Sequence, residues 1–135
     1  MIIIKFLSAV VIFSFCMFLI GLAGLIVFKP RRAEIFLSSY ASSARAHYTE
    51  QLARMLVGIA FVVLAPSMWY SDLLTLFGWI LIVTTAGLLL VPWKWHHRFG
   101  EWAIPLTLRY MPIYSLGAFV LGILILYCFS RILLT

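Results

Sequence analysis

Four long apolar runs, near 6–28, 52–70, 73–91 and 116–134, constrain this chain more than anything else, and charge interrupts them only at Arg54 and Arg131. A hydrocarbon core of about 30 Å takes about 20 helical residues at about 1.5 Å each, and each run is of that length. Lipid offers no partner to a backbone N–H or C=O, so a spanning segment must satisfy its own hydrogen bonds. No run alternates with the period of two that a barrel strand needs, which leaves helices. Composition agrees: 65% of the residues are hydrophobic and 10% charged, against about half and a quarter in soluble domains. The expectation is an all-α integral membrane protein, a single transmembrane domain over 1–135 built as an antiparallel four-transmembrane-helix bundle.

The opening "MIIIKFLSAVVIFSF" has the lysine and apolar run of a signal peptide, but the apolar run continues to the basic stop "KPRR" without a small-x-small cleavage site. A retained first helix is expected. Cys16 and Cys128 both fall within spans, where a thiol acts as a small apolar side chain, and no disulfide is expected.

Orientation follows from lysine and arginine, because positively charged short loops stay in the cytoplasm. Lys29, Arg31, Arg32, Arg45 and Arg54 surround the first connection and Lys94, Arg98 and Arg109 the third, leaving Lys5 and Arg131 for the other face. The middle connection, "PSMWYSD", holds one acid and no base. Both termini are therefore placed on the non-cytoplasmic side, in a membrane of the bacterial inner, cytoplasmic type. The net charge of +6 then gathers on one face, where anionic lipid headgroups attract it; membrane lipids are the expected partners and nucleic acid is not.

The two cytoplasmic connections are patterned as interfacial amphipathic helices. Over 34–48, Phe36, Tyr40, Ala44 and Tyr48 recur at helical spacing, with Ser38, Ser42, Arg45 and Thr49 as the opposite stripe. Over 93–104, a helix puts Trp95, Phe99 and Trp102 within one apolar arc and turns Lys94, His97, Arg98 and Glu101 toward water. Trp93, Trp95, Phe99 and Trp102 are the expected aromatics of the membrane interface, since an indole has an apolar ring and an N–H that seeks a polar partner.

His96 and His97 point about 100° apart on a helix, too far to share one metal, and no cysteine or carboxylate stands at ligand spacing around them. No metal site and no cofactor is expected, His47, His96 and His97 being read as border residues beside headgroups. Phosphate-binding loops, dinucleotide glycine patterns, nucleophile elbows and zinc-protease signatures are absent, so no catalytic residue is assigned.

In "HYTEQLAR", His47, Glu50 and Arg54 share one helical face, and Glu50 four residues before Arg54 is the favourable order for an ion pair. Structurally the pair would be a clasp that partly neutralises Arg54 where the helix meets hydrocarbon. Functionally, Arg54 with Lys94, Arg98, Arg109 and the three histidines could line an anionic pocket for a phosphate or carboxylate headgroup. The spans carry no ionisable residue near their middles, which argues against a proton-coupled pump. The chain shares its size and helix number with the small multidrug transporters but lacks the glutamate that family carries in its first helix, which here offers only Ser8, Ser14 and Cys16.

Ser115, Ala118 and Gly122 put small side chains on one face of the last span, where a partner helix could approach closely; Thr84, Thr85, Ala86 and Gly87 form a similar patch on the third. The favoured function is a non-enzymatic accessory, assembly or scaffold subunit of a larger membrane complex, with a protein partner or a second copy beside it. The alternative is a protein, or an enzyme, that binds a lipid or isoprenoid headgroup in the arginine and histidine pocket. A small oligomeric transporter ranks third. Clustered carboxylates for magnesium-dependent diphosphate chemistry are missing, the acids being only Glu34, Glu50, Asp72 and Glu101.

Overall fold

The computed structural model describes residues 1–39 and 44–134. Among them every regular element is helical: α1 (Ile2–Phe28), α2 (Pro30–Ser39), α3 (Ala44–Leu64), α4 (Ser71–Leu90), α5 (Trp93–Arg109) and α6 (Met111–Leu134), with a 3-10 turn, Ala65–Ser67, between α3 and α4. α1, α3, α4 and α6 are long and apolar enough to cross a membrane.

Prolines punctuate the chain. A residue before proline avoids the helical region, and Lys29 leaves it at φ −139°, ψ 65°, closing α1 through its N–H donated to the Leu25 carbonyl at 2.8 Å. Pro30 then opens α2, where its missing N–H costs nothing. Val91, ahead of Pro92, is extended at φ −84°, ψ 133° and ends α4. Pro66 lies in the 3-10 turn that tightens the end of α3. The reversal into α4 is completed by Tyr70, at φ 54° and ψ 47°, a left-handed conformation that costs a non-glycine residue about 1–3 kcal/mol. Neighbouring hydrogen bonds hold it: Met68 N–H to the Ala65 carbonyl at 2.9 Å, Trp69 N–H to Cys128 at 3.1 Å and Leu74 N–H to Tyr70 at 3.1 Å.

Both expected surface helices fall on helical segments. Of the one expected over 34–48, α2 (Pro30–Ser39) and the first residues of α3, from Ala44, are described, while residues 40–43, with Tyr40 and Ser42 of the expected stripe, lie outside the described residues. The polar turns of "HYTEQLAR" continue into the apolar span because nothing in them breaks a helix, and the Thr49 hydroxyl donates back to the Arg45 carbonyl at 2.7 Å. α5 likewise outruns its expected end at 104, continuing through Pro105 to Arg109.

The helices pack in pairs, α3 on α4, α1 on α6 and α1 on α3. The larger core cluster joins Ile12 and Cys16 of α1, Phe61 and Leu64 of α3, Met68, Leu74 of α4, and Ile125, Cys128 and Phe129 of α6. Phe61 meets Phe15 and Phe77 edge to face at 6.1 and 5.0 Å. A smaller cluster, Ile26, Ala33 and Met111, ties the end of α1 to α2 and the start of α6.

Two close approaches set the spacing. Where α3 crosses α4, a Cβ on Gly78 would lie 2.9 Å from the Gly58 carbonyl oxygen and one on Gly58 would lie 3.0 Å from that of Gly78, so only glycine lets the backbones meet. On α6, a Cβ on Gly122 would sit 2.9 Å from Ile20 and 3.4 Å from the Cys16 carbonyl. Ser115, on the same face, is buried and its hydroxyl donates to the Ala23 carbonyl at 3.0 Å. Ala118 between them is half-buried, and the helix that face meets is α1.

Candidate functional site

Glu50 and Arg54, in the first half of α3, lie where this helix meets α1 and α4. The helical repeat brings Glu50 and Arg54 onto one side, and Glu50 Oε1 lies 3.9 Å from Arg54 Nη1. That is ion-pair range but well beyond the 2.7–2.9 Å of a charge-assisted hydrogen bond. Arg54 Nη2 donates to the Thr84 hydroxyl of α4 at 3.4 Å. Thr84 in turn donates to the Ile80 carbonyl at 2.6 Å, which fixes the rotamer that receives the arginine. Glu50 Oε2 and Arg54 Nε have no hydrogen-bond partner among the described residues.

Beside this pair runs a groove of about 540 Å³ between α1 and α3. α1 supplies Val10, Ser14, Phe18 and Leu22, α3 supplies Ala53 and Val57, and Leu81 of α4 adds to the lining. Glu50 and Arg54 are its only charged lining residues among those described. The volume falls within the roughly 300–1,000 Å³ of ordinary small-molecule sites, and so does the pattern of an apolar wall with a few convergent polar groups.

Pattern reading passed over Gln51. It is fully buried, and neither its amide nitrogen nor its amide oxygen has a hydrogen-bond partner among the described residues; the same holds for the Thr85 hydroxyl of α4. The register defined by Gly58 against Gly78 and Arg54 against Thr84 carries Gln51 and Thr85 to the same level of the α3–α4 crossing. A cue existed: Gln51 is the only amide side chain in the sequence and stands four residues after His47. His47 is itself buried, its ring 5.0 Å from that of Tyr48.

α5 carries the other residues expected at that pocket. Lys94, Arg98 and Arg109 are exposed, and no described contact joins any of them to Arg54. Arg109 lies 5.7 Å from the Tyr110 ring. His97 Nε2 stands 3.0 Å from Glu101 Oε1 one turn along the helix. Trp95, Phe99 and Trp102 are all exposed, with the Phe99 and Trp102 rings 5.9 Å apart. The side chains of Trp93 and His96 lie outside the described residues. Among the described residues no group of three histidines, cysteines or carboxylates could hold a metal.

At the opposite end of α3 a second polar contact involves Arg131. Its guanidinium stacks 4.9 Å over the Trp69 ring and donates to the Met68 carbonyl at 3.2 Å. With Trp69 N–H donating to the Cys128 carbonyl, this fastens the α3–α4 connection to the end of α6. Nothing about Arg131 in the sequence, beyond its place near the chain end, indicated this lock. In comparisons with known proteins, no family model, curated protein or solved structure matches this chain.

Proposed function

We propose that this chain is an integral membrane protein that holds a lipid-like amphiphile, its apolar tail in the groove between α1 and α3 and its polar head against Glu50 and Arg54. The observation that carries the reading is the groove itself, a long apolar wall with a carboxylate and a guanidinium at one end. An ionisable pair where a helix enters hydrocarbon is expensive and marks a candidate site. In the arrangement we propose, the four apolar helices form an antiparallel bundle. Ser115 with Ala23 and Gly122 with Cys16 support opposed directions for α6 and α1, as Gly58 with Gly78 and Arg54 with Thr84 do for α3 and α4. The basic first and third connections face the cytoplasm by the charge rule, which puts the headgroup end of the groove at that border. α2 and α5 then lie along the interface, with Trp95, Phe99 and Trp102 toward the acyl boundary.

This reading takes up the headgroup-binding alternative with a different set of residues: Arg54 and Glu50 carry it, and Lys94, Arg98 and Arg109 serve orientation and general attraction of anionic lipid. An accessory or scaffold role in a larger complex is compatible with lipid binding, but among the described residues no feature sets one exposed apolar face apart as a partner surface. The test is native mass spectrometry of protein extracted in mild detergent, comparing wild type with Ala53→Phe, which fills the groove and leaves both charges. One retained lipid in wild type and none in the variant is the expected result. Equal retention in both would remove the groove from the function, and a stoichiometric protein in place of lipid would favour the subunit reading.

A further inference from the structure

We infer that the amphiphile carries a zwitterionic head, an ammonium directed to Glu50 and a phosphate or carboxylate directed to Arg54; this rests on the groove being the binding site. The charge balance at the groove's end is the reason. Among the described residues Glu50 and Arg54 are its only charged lining residues, and together they are neutral. The Glu50 carboxylate lies 3.9 Å from the Arg54 guanidinium, so a purely anionic head drawn to Arg54 would also come close to Glu50, and like charges at close range repel. A purely cationic head meets the same difficulty with Arg54. A head bearing both charges a few bonds apart matches both groups at once.

The pair is also loosely made. At 3.9 Å neither side chain has its charge-assisted hydrogen bond from the other, and Glu50 Oε2 and Arg54 Nε have no partner among the described residues. The arginine's described hydrogen bond, to Thr84, is long at 3.4 Å. Carboxylates and guanidiniums near hydrocarbon are normally closely paired, because an unmet charge there is costly. A headgroup that slips between them gives the carboxylate an N–H donor and the guanidinium an oxygen acceptor, and the tail follows the apolar wall past Phe18, Val57 and Val10. Aminophospholipids have this chemistry. A phosphocholine head keeps the charges but has no N–H to give, and a phosphoglycerol head has no cation.

Competition by native mass spectrometry tests this on the full chain in micelles, using phosphatidylethanolamine, phosphatidylcholine and phosphatidylglycerol with identical acyl chains. The ethanolamine lipid should be retained over the glycerol lipid by about tenfold or more, the scale of one net charge-assisted contact, with the choline lipid between them. Glu50→Gln should abolish or invert that preference, since the carboxylate both receives the ammonium and repels the anion. Glu50→Asp should keep it, and provides the comparison if the glutamine variant folds poorly. Free glycerophosphoethanolamine displacing the lipid would mean the same chemistry is met by a soluble zwitterion; failure to displace it assigns the source to the bilayer. Wild-type preference for the glycerol lipid, or an unchanged ratio in Glu50→Gln, overturns the zwitterion while leaving the groove in place. Retention of no lipid by wild type overturns both.

Discussion

Arg54 and Arg131 lie on opposite sides of the α3–α4 crossing, and the protein treats them differently. Arg131 has its bonding met by the fold: an aromatic face at 4.9 Å and a backbone carbonyl at 3.2 Å, both from the connection it fastens. Arg54 has a carboxylate at 3.9 Å, a threonine hydroxyl at 3.4 Å and an Nε with no partner among the described residues, beside a groove of about 540 Å³. A structural cation is surrounded by the chain's own acceptors, whereas a binding cation keeps part of its capacity for something else. By that measure the Arg131 end is a lock, and the Arg54 end is where the proposed site belongs.

The largest expected effect comes from the crossing that spaces the two ends. Gly78→Ala would place a methyl 2.9 Å from both the Gly58 carbonyl oxygen and the Phe61 Cβ. Overpacking of this kind costs about 1–3 kcal/mol, against about 1 kcal/mol that alanine contributes as the better helix former. Here the strain should win, because the obstructing atoms include backbone and no flexible side chain can yield. Gly117→Ala meets nothing within 4 Å and should keep only the propensity gain. Thermal unfolding in detergent should therefore fall for Gly78→Ala and hold or rise for Gly117→Ala; equal behaviour of the two would mean the helices do not meet at Gly58 and Gly78.

Next in size is Arg131→Gln, which removes the stacking on Trp69 and weakens the bond to Met68. A loss of about 1–2 kcal/mol is expected, with lipid retention unchanged. Arg54→Gln should show the converse: a stability change of at most about 1 kcal/mol, since the pair is partly exposed, and loss of the bound lipid. If both variants lost stability and kept lipid, the contrast between lock and site would be gone.

The four long apolar helices were legible in the sequence because crossing a bilayer sets such a length and polarity, and the runs marked at 6–28 and 73–91 fall almost entirely within α1 and α4. Glu50 and Arg54 were legible too, since residues one helical turn apart are neighbours whatever surrounds them. What the pattern could not give was which apolar face meets which helix. Lipid-facing and helix-facing residues are equally apolar in such a chain, so hydropathy carries no register. The patch proposed on the third span shows the difficulty: Thr85 is buried, yet a Cβ on Gly87 would meet nothing within 4 Å, and the close approach is at Gly78, two turns earlier. The groove was illegible for the same reason, its walls coming from α1 and α3, separated along the chain by α2. Gln51 was passed over because a lone amide beside a charged pair reads as a solvated helix position until its burial is known.

The smallest effect, and the most discriminating, is the coupling between Glu50 and Arg54. Side-chain exposures of 23% and 35% and a separation of 3.9 Å put the pair between a surface bridge, worth up to about 1 kcal/mol, and a buried one, where removing a single partner costs more than removing both. Glu50→Gln leaves the guanidinium beside hydrocarbon without its counter-charge. Adding Arg54→Gln replaces the charged pair with a neutral polar one, so the double variant should be no less stable than Glu50→Gln alone. In delipidated protein the coupling should be about 0.5 kcal/mol, as fits a long contact. With an ethanolamine lipid bound it should rise, because the head then bridges the two charges and loses its hold when either is removed. Thermal unfolding of the two single variants and the double, with and without that lipid, measures both values. Additive losses in both preparations would mean that the two side chains act independently, and neither the clasp nor the bridging head would stand. Coupling that is present without lipid and unchanged by it would keep the clasp and return Glu50 to a purely structural role.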